Sequence, residues 1–299
     1  MKSVYAKDIR GGDKVNTTFM IMKKLYKDNE NNTIAYIGDN SGDIKAVIPD
    51  KDDVLKIGDV IECTASMETL LVISKFKKMH HFLVEQFLPT IKRSVEDIMR
   101  EIDEMSEEEF KSKEIKALND YFFKDEEFLK RFKRGIGGVS MHHNYLGGLA
   151  EHTLNVMYLA RTFAYRYDCR NKEIVILGAK LHDIGKIYEF NYDGPFSYTL
   201  RGEMEGHIVI GVTMLEEAFR KEPNLYNEDF KERIKGCVVQ HHGKVEFGSP
   251  KPPNMEESYI VHYADYVDAT MNKISLIKEG IEPGNWSAYD RRIEGKLYV

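Results

Sequence analysis

The apolar pattern of this chain changes period once, and that change sets what it can fold into. Between residues 14 and 78 apolar positions tend to alternate, as at Val15, Thr17, Phe19 and Ile21, which is the two-residue repeat of a half-buried strand. Further short runs follow at Thr33–Ile37, Ile44–Ile48, Val60–Ala65 and Leu70–Phe76, with turn-rich breaks at Asp28–Asn32 and Gly38–Asp43. Pro49–Lys56 interrupts the series and could form a short helical link. Five short strands with a break between the third and fourth match a small Greek-key barrel of the oligonucleotide-binding (OB) type. After Pro89 the pattern turns helical. Ser94 with Asp97, and Ser106 with Glu109, resemble capping boxes, so residues 91–134 are expected to be helical. Helical patterning continues over Leu149–Tyr167, Ile174–Ile187, Gly206–Phe219, Phe230–His241 and Tyr259–Ile277, with Gly280 as a stop. The expected architecture is multidomain: an all-β OB-fold barrel over residues 1–90, a helical connector over 91–134, and an all-α domain over 135–299.

Charge limits how such a chain could hold a polyanion. The net charge is −6 over 299 residues, and the first 90 residues carry 13 basic and 13 acidic groups. Neither later segment is basic overall, so a nucleic acid would have to be held by local lysines or bound cations rather than by bulk attraction. With 42% hydrophobic and 31% charged residues the composition is that of a globular protein. No apolar run approaches the ~18–20 residues of a membrane span. The first residues, MKSVYAKDIRGGDK, lack the apolar core of a secretory signal. Cys63, Cys169 and Cys237 show no paired spacing, which argues against a disulfide framework or a thiolate zinc site; a cytoplasmic setting is expected.

Of the ten histidines, eight lie between His142 and His262. The densest signal is Leu181-His182-Asp183-Ile184-Gly185-Lys186, an imidazole and a carboxylate on an apolar helix, where burial without partners would be costly. A divalent ion offers both a partner, and this donor chemistry suits Mn, Fe, Co, Ni or Zn. His152, His207, the pair His241-His242, and Asp265 each stand in an otherwise apolar helical stretch on either side. Lys186, three residues after Asp183, lies near its face and could donate to a phosphate oxygen or simply complement the helix end. His142 and His143, just before Gly147-Gly148, could contact substrate or protonate a leaving oxygen, or form a surface turn. His262 could orient Asp265 or merely pack. In the barrel, Phe19, Tyr26, Tyr36 and Phe76 are candidate base-stacking aromatics, each with core packing as its alternative. Lys23, Lys24, Lys75, Lys77 and Lys78 are the matching candidates for phosphate contacts.

The order His, His-Asp, His, His, Asp resembles the HD superfamily of metal-dependent phosphohydrolases over roughly residues 135–275. That resemblance implies a helical domain with one or two metal ions. His152, His182, Asp183 and Asp265 would hold the first ion. Asp183 would bridge to a second, held by His207 and by His241 or His242. A barrel followed by His142-His143-Asn144-Tyr145-Leu146-Gly147-Gly148-Leu149-Ala150-Glu151-His152-Thr153 and then by His182-Asp183 is similar to the YhaM family of bacterial exoribonucleases, over nearly the whole chain. It implies manganese-dependent release of nucleoside monophosphates from the 3′ end of single-stranded RNA, sometimes also DNA, by a homo-oligomer. Two alternatives stand beside this reading. One is a phosphohydrolase or phosphodiesterase of free nucleotides; the other is a non-catalytic single-strand-binding, replication-associated factor.

Overall fold

A computed structural model describes residues 2, 4–139 and 143–299; His142 lies outside these. The chain divides into two compact units: Met1–Thr90 with Asn191–Ser197, and Ile91–Phe190 with Tyr198–Val299.

The first unit is built on five strands, β1 (Lys14–Lys27), β2 (Thr33–Asp39), β3 (Gly42–Ile48), β4 (Val60–Met67) and β5 (Leu71–Met79). Their order is β1-β2-β3-β5-β4, and β1 also pairs with β4, so the ring closes. One long strand makes this possible. The first half of β1, Lys14–Met20, pairs with β4, and its second half, Met20–Lys27, pairs with β2. Register shifts at Ile21/Lys23 and Lys24/Tyr26 bend it between the two partners. The interior is apolar, with Phe19, Ile21, Ile37, Ile48, Ile61 and Leu71 fully buried. Phe19, expected as a base-stacking candidate, is therefore a core residue: alternation turns it inward, and its ring is 0% exposed. Phe76 also packs against this core. The short helix that Pro49–Lys56 could have formed is absent. The Asp50 carboxylate instead accepts the backbone N–H of Val54 at 2.9 Å and of Leu55 at 3.2 Å, holding a turn.

The second unit is helical: α1 (Val95–Glu109), α2 (Lys113–Phe123), α3 (Glu126–Arg134), α4 (Gly148–Arg166), α5 (Lys172–Leu181), α6 (Lys186–Glu189), α7 (Leu200–Lys221), α8 (Glu228–Gln240) and α9 (Glu256–Lys278). Ser94 caps α1 by accepting the Asp97 N–H, as expected. Ser106 caps nothing. It lies inside α1, where its hydroxyl donates to the Ile102 carbonyl at 2.7 Å, because α1 runs on through it. α4 packs against α5 and α9, and α8 lies beside α5, α7 and α9. One apolar core joins them, including Leu149, Val156, Leu177, Leu215, Val238 and Val261. The stretch expected as one helix over Ile174–Ile187 breaks at 182–185 into α5 and α6. Among the described residues no helix is long and apolar enough to cross a membrane.

Candidate metal centre

Two glycines decide where the histidines point. Gly206 has φ 70° and ψ 159°, a conformation suited to glycine, and it kinks α7. The kink frees the His207 N–H from the helical ladder, and Glu189 Oε1 accepts it at 3.0 Å. Gly185 lies where α7 passes the break after α5; a Cβ there would sit 2.0 Å from the His207 carbonyl oxygen. Only a residue without a side chain lets Asp183 and His207 approach.

Four imidazoles converge, each anchored through Nδ1. His182 Nδ1 donates to the Ala179 carbonyl at 2.7 Å and His241 Nδ1 to the Val238 carbonyl at 2.7 Å. His152 Nδ1 meets Asp268 Oδ2 at 2.6 Å, and His207 Nδ1 meets Glu189 Oε1 at 3.2 Å. With Nδ1 as the donor, the neutral ring turns its Nε2 lone pair inward. The inward atoms are then acceptors facing acceptors. Asp183 Oδ2 lies 3.4 Å from His152 Nε2 and 3.3 Å from His182 Nε2, while Asp265 Oδ1 is 3.2 Å from His152 Nε2. On its other side Asp183 Oδ1 lies 3.5 Å from His207 Nε2 and 3.6 Å from His241 Nε2. Asp183 Oδ1 and His207 Nε2 are buried and make no hydrogen bond. A buried carboxylate oxygen and a buried imidazole nitrogen without partners are costly, and a cation between them would satisfy both.

The charge balance agrees. Burial would raise the Asp183 carboxyl, but the Lys186 ammonium and His182 beside it hold it well below the usual carboxylate range. Asp265 is likewise held low, against burial, chiefly by His152. Burial depresses His241, with His242 adding to it, and pushes His242 down to about 4, so both are neutral ligand-ready rings near pH 7. At His152 burial opposes charge, yet Asp183, Asp265 and Asp268 outweigh it and hold its imidazole well above the ordinary value. Such a pocket draws a cation, and a divalent ion suits it better than a proton does. The donor set is nitrogen and oxygen with no thiolate, as expected for Mn, Fe, Co, Ni or Zn.

Of the expected site residues, His152, His182, Asp183, His207, His241 and Asp265 come together. His241 is the one of its pair that faces Asp183; His242 stands beside His207, with ring centroids 5.0 Å apart, in a group that could itself hold an ion. Lys186 Nζ reaches Asp183 Oδ2 at 2.6 Å. His143 is buried behind His152 rather than on an open turn, at 1% exposure. His262 holds the other helix: its Nδ1 donates to the His241 carbonyl at 2.7 Å. In the barrel unit Tyr36, Lys75 and Lys77 are exposed. Two carboxylates escaped the sequence reading, Asp268 and Glu189. Their signals were present: Asp268 follows Asp265, and Glu189 follows Lys186, each at the three-residue spacing that shares a helix face.

Buried histidines and aspartates from successive helices, gathered around one shared carboxylate, place the second unit in the HD class, and the family described as HD domain matches residues 149–270. At the level of the whole chain, the 3'-5' exoribonuclease YhaM of Geobacillus sp. (strain WCH70) is 30% identical over 274 residues, covering 87% of this chain and 82% of the relative. The protein of the same name from Bacillus subtilis (strain 168) is 30% identical over 272 residues, covering 87% and 85%. Among solved structures, the HD domain of the L. monocytogenes phosphodiesterase PgpH aligns at 18% identity and a TM-score of 0.30, over 52% of this chain and 84% of that one. This chain belongs to the YhaM family.

Proposed function

We propose that this protein is a metal-dependent 3′→5′ exoribonuclease that hydrolyses single-stranded RNA to nucleoside monophosphates, with single-stranded DNA as a second substrate to test. Residues 1–90, read as an OB-fold barrel, bind the strand; 91–134 connect; 135–299 hydrolyse it. The observation that carries this reading is the inward ring of Nε2 and carboxylate atoms around Asp183, in a chain that aligns with YhaM exoribonucleases over most of its length.

Divalent ions in such a centre supply a water nucleophile active near neutral pH and offset phosphate charge. The chain's own part is placement. His152, His182, Asp183 and Asp265 would hold one ion, and Asp183 with His207 and His241, and with His242 beside them, would hold a second. Manganese is the first candidate. Lys186 steadies Asp183 with one of its three donors and has others to offer a phosphate oxygen. Tyr36, Lys75 and Lys77 contact the strand on the barrel. The reading also carries a homo-oligomer in the cytoplasm.

The test is digestion of RNA labelled at its 5′ end, with Mn2+ and with EDTA. A ladder that shortens from the 3′ end, with nucleoside monophosphate released and EDTA silencing it, is the expected result. A protein that hydrolyses only free nucleotides, with the oligomer left intact, would replace this reading with the nucleotide phosphohydrolase.

A further inference from the structure

The metal ligands account for the inward side of the ring, and a second layer of polar side chains lies behind His152. Asp268 Oδ2 accepts from His152 Nδ1 at 2.6 Å and also meets His143 Nε2 at 2.8 Å. Its other oxygen, Oδ1, accepts from Asn155 Nδ2 at 2.8 Å. Asp268 is thus bound on both oxygens, by two residues of α4 and by one in the segment just before it. His143 is held in turn. Its Nδ1 lies 2.9 Å from Tyr145 Oη and 3.2 Å from Glu151 Oε2, and the Tyr145 hydroxyl donates to Glu151. The His143 backbone N–H donates to Asn272 Oδ1 at 3.2 Å, one helical turn beyond Asp268 on α9. The residue takes a left-handed backbone, φ 52°, which is uncommon for a side chain of this size and is maintained only where neighbours hold it.

The direction of these bonds is informative. Both ring nitrogens of His143 face oxygen acceptors, so neither is turned toward a leaving oxygen. The chain of contacts runs from Glu151 and Tyr145 through His143 and Asp268 to the outer nitrogen of His152. Its end effect is on one ring. It fixes the tautomer that places the lone pair on Nε2, and it fixes the plane of the imidazole.

We propose that Asp268, clamped by His143 and Asn155, is a positioning residue that sets His152 for ion binding, and that His143 serves the centre through Asp268 rather than as a proton donor to substrate. This rests on the metal-centre reading. Of the four converging histidines, His182 and His241 are oriented by backbone carbonyls, which no substitution removes. His152 depends on a side chain that is itself held by a side chain, and that makes the dependence testable.

The experiment is calorimetric titration of the full chain with Mn2+, with heat-induced unfolding in EDTA run in parallel. If the wild-type protein takes up no Mn2+, the metal-centre reading fails, whatever the variants do. Given wild-type binding, Asp268→Asn should weaken Mn2+ roughly 10- to 100-fold, the usual scale for a group that orients a ligand. His143→Gln should weaken it in the same direction, and in the Asp268→Asn background it should add little, since both act through one ring. If Asp268→Asn does not fold in EDTA, His143→Gln carries the test alone. Wild-type Mn2+ affinity in the folded Asp268→Asn protein overturns the proposal, as does full additivity of the two substitutions. Wild-type affinity in His143→Gln returns that histidine to the role of a substrate-side group.

Discussion

The two units bury different things. In the barrel the interior is filled by Phe19, Ile21, Ile37, Ile48, Ile61 and Leu71, and buried charges there are partnered, as in the Lys2–Asp39 ion pair and the Asp50 turn. In the helical unit the interior holds His152, His182, Asp183, Lys186, His241, Asp268 and Glu189 among its leucines and valines. A core chosen for stability alone would not bury these groups, because each must be taken from water and repartnered. The helical unit therefore spends stability on a site, while the barrel keeps its interior for packing. It follows that in the barrel, stability and function should separate by the direction a residue faces; in the helical unit, the same buried residues should affect both.

The largest effect expected is at Asp183. Asp183→Ala should all but abolish hydrolysis of end-labelled RNA, lowering it by on the order of 10^2- to 10^3-fold, the scale on which a preorganised electrostatic group acts. It also leaves Lys186 buried without its carboxylate. Asp183→Asn keeps an acceptor for that lysine and should lose as much activity. Both variants should still bind a single strand by filter retention, since the barrel is untouched. RNA hydrolysis at the wild-type rate by either would refute the shared-carboxylate assignment.

Within the barrel, Phe19→Ala should cost about 3–5 kcal/mol of stability, as for other buried phenylalanines, read by chemical unfolding of the full chain. Tyr36→Ala, at a ring 39% exposed, should change stability by less than about 0.5 kcal/mol. It should instead weaken single-strand binding by about 1–3 kcal/mol if the ring stacks on a base. Equal stability losses at the two positions would erase the separation of inward and outward faces within the barrel.

What the sequence revealed follows the same division. Strand alternation was strong enough to place all five strands, yet it could not tell Phe19 from Tyr36 as a contact. Both are aromatics on strands, and only register decides which faces inward. The helical unit was clearer in its chemistry than in its helices. His152, His182, Asp183, His207, His241 and Asp265 stood out because polar residues in apolar stretches are rare. The break at 182–185 and the kink at Gly206 did not, because glycine within a helical pattern signals a close approach only once the neighbour is known. Asp268 and Glu189 were hidden for a different reason. A carboxylate that orients a ligand carries no motif of its own, only a three-residue offset that many surface helices share.

Lys180 tests whether the helical unit truly carries a cost. Its ammonium is buried on α5, bonded to Ser106 Oγ at 2.8 Å and Asn119 Oδ1 at 2.7 Å, and lies 3.8 Å from the centre of the Phe123 ring. Burial lowers it from 10.5 to about 7. In the unfolded chain the lysine keeps its proton up to its ordinary value, so between about pH 7 and 10 the unfolded state binds more protons than the folded one. Stability should therefore rise with pH across that window, by at most one proton's worth, and the penalty should be present in full below it. Lys180→Met should flatten this part of the profile in urea melts taken at several pH values. An unchanged slope would show that the lysine keeps its charge without cost, in which case the Ser106, Asn119 and Phe123 contacts compensate fully.

The smallest effect belongs to the barrel surface and separates binding by charge from binding by stacking. Lys75 and Lys77 lie two residues apart on β5, opposite Thr64 and Glu62 of β4, so both point to the same face, and both are exposed. Among the described residues neither is in an ion pair, and the barrel segment as a whole carries no excess of positive charge. If these two lysines touch phosphates, each contact releases condensed counterions. Lys75→Ala and Lys77→Ala should then each reduce the slope of log affinity against log salt by about 0.7, the single-strand value. Their loss should be uniform across base sequences and should shrink at high salt, whereas the Tyr36→Ala loss should persist there. A salt slope unchanged in the double variant would move the strand off this face of the barrel and leave the aromatic contacts to be sought on β1 and β2.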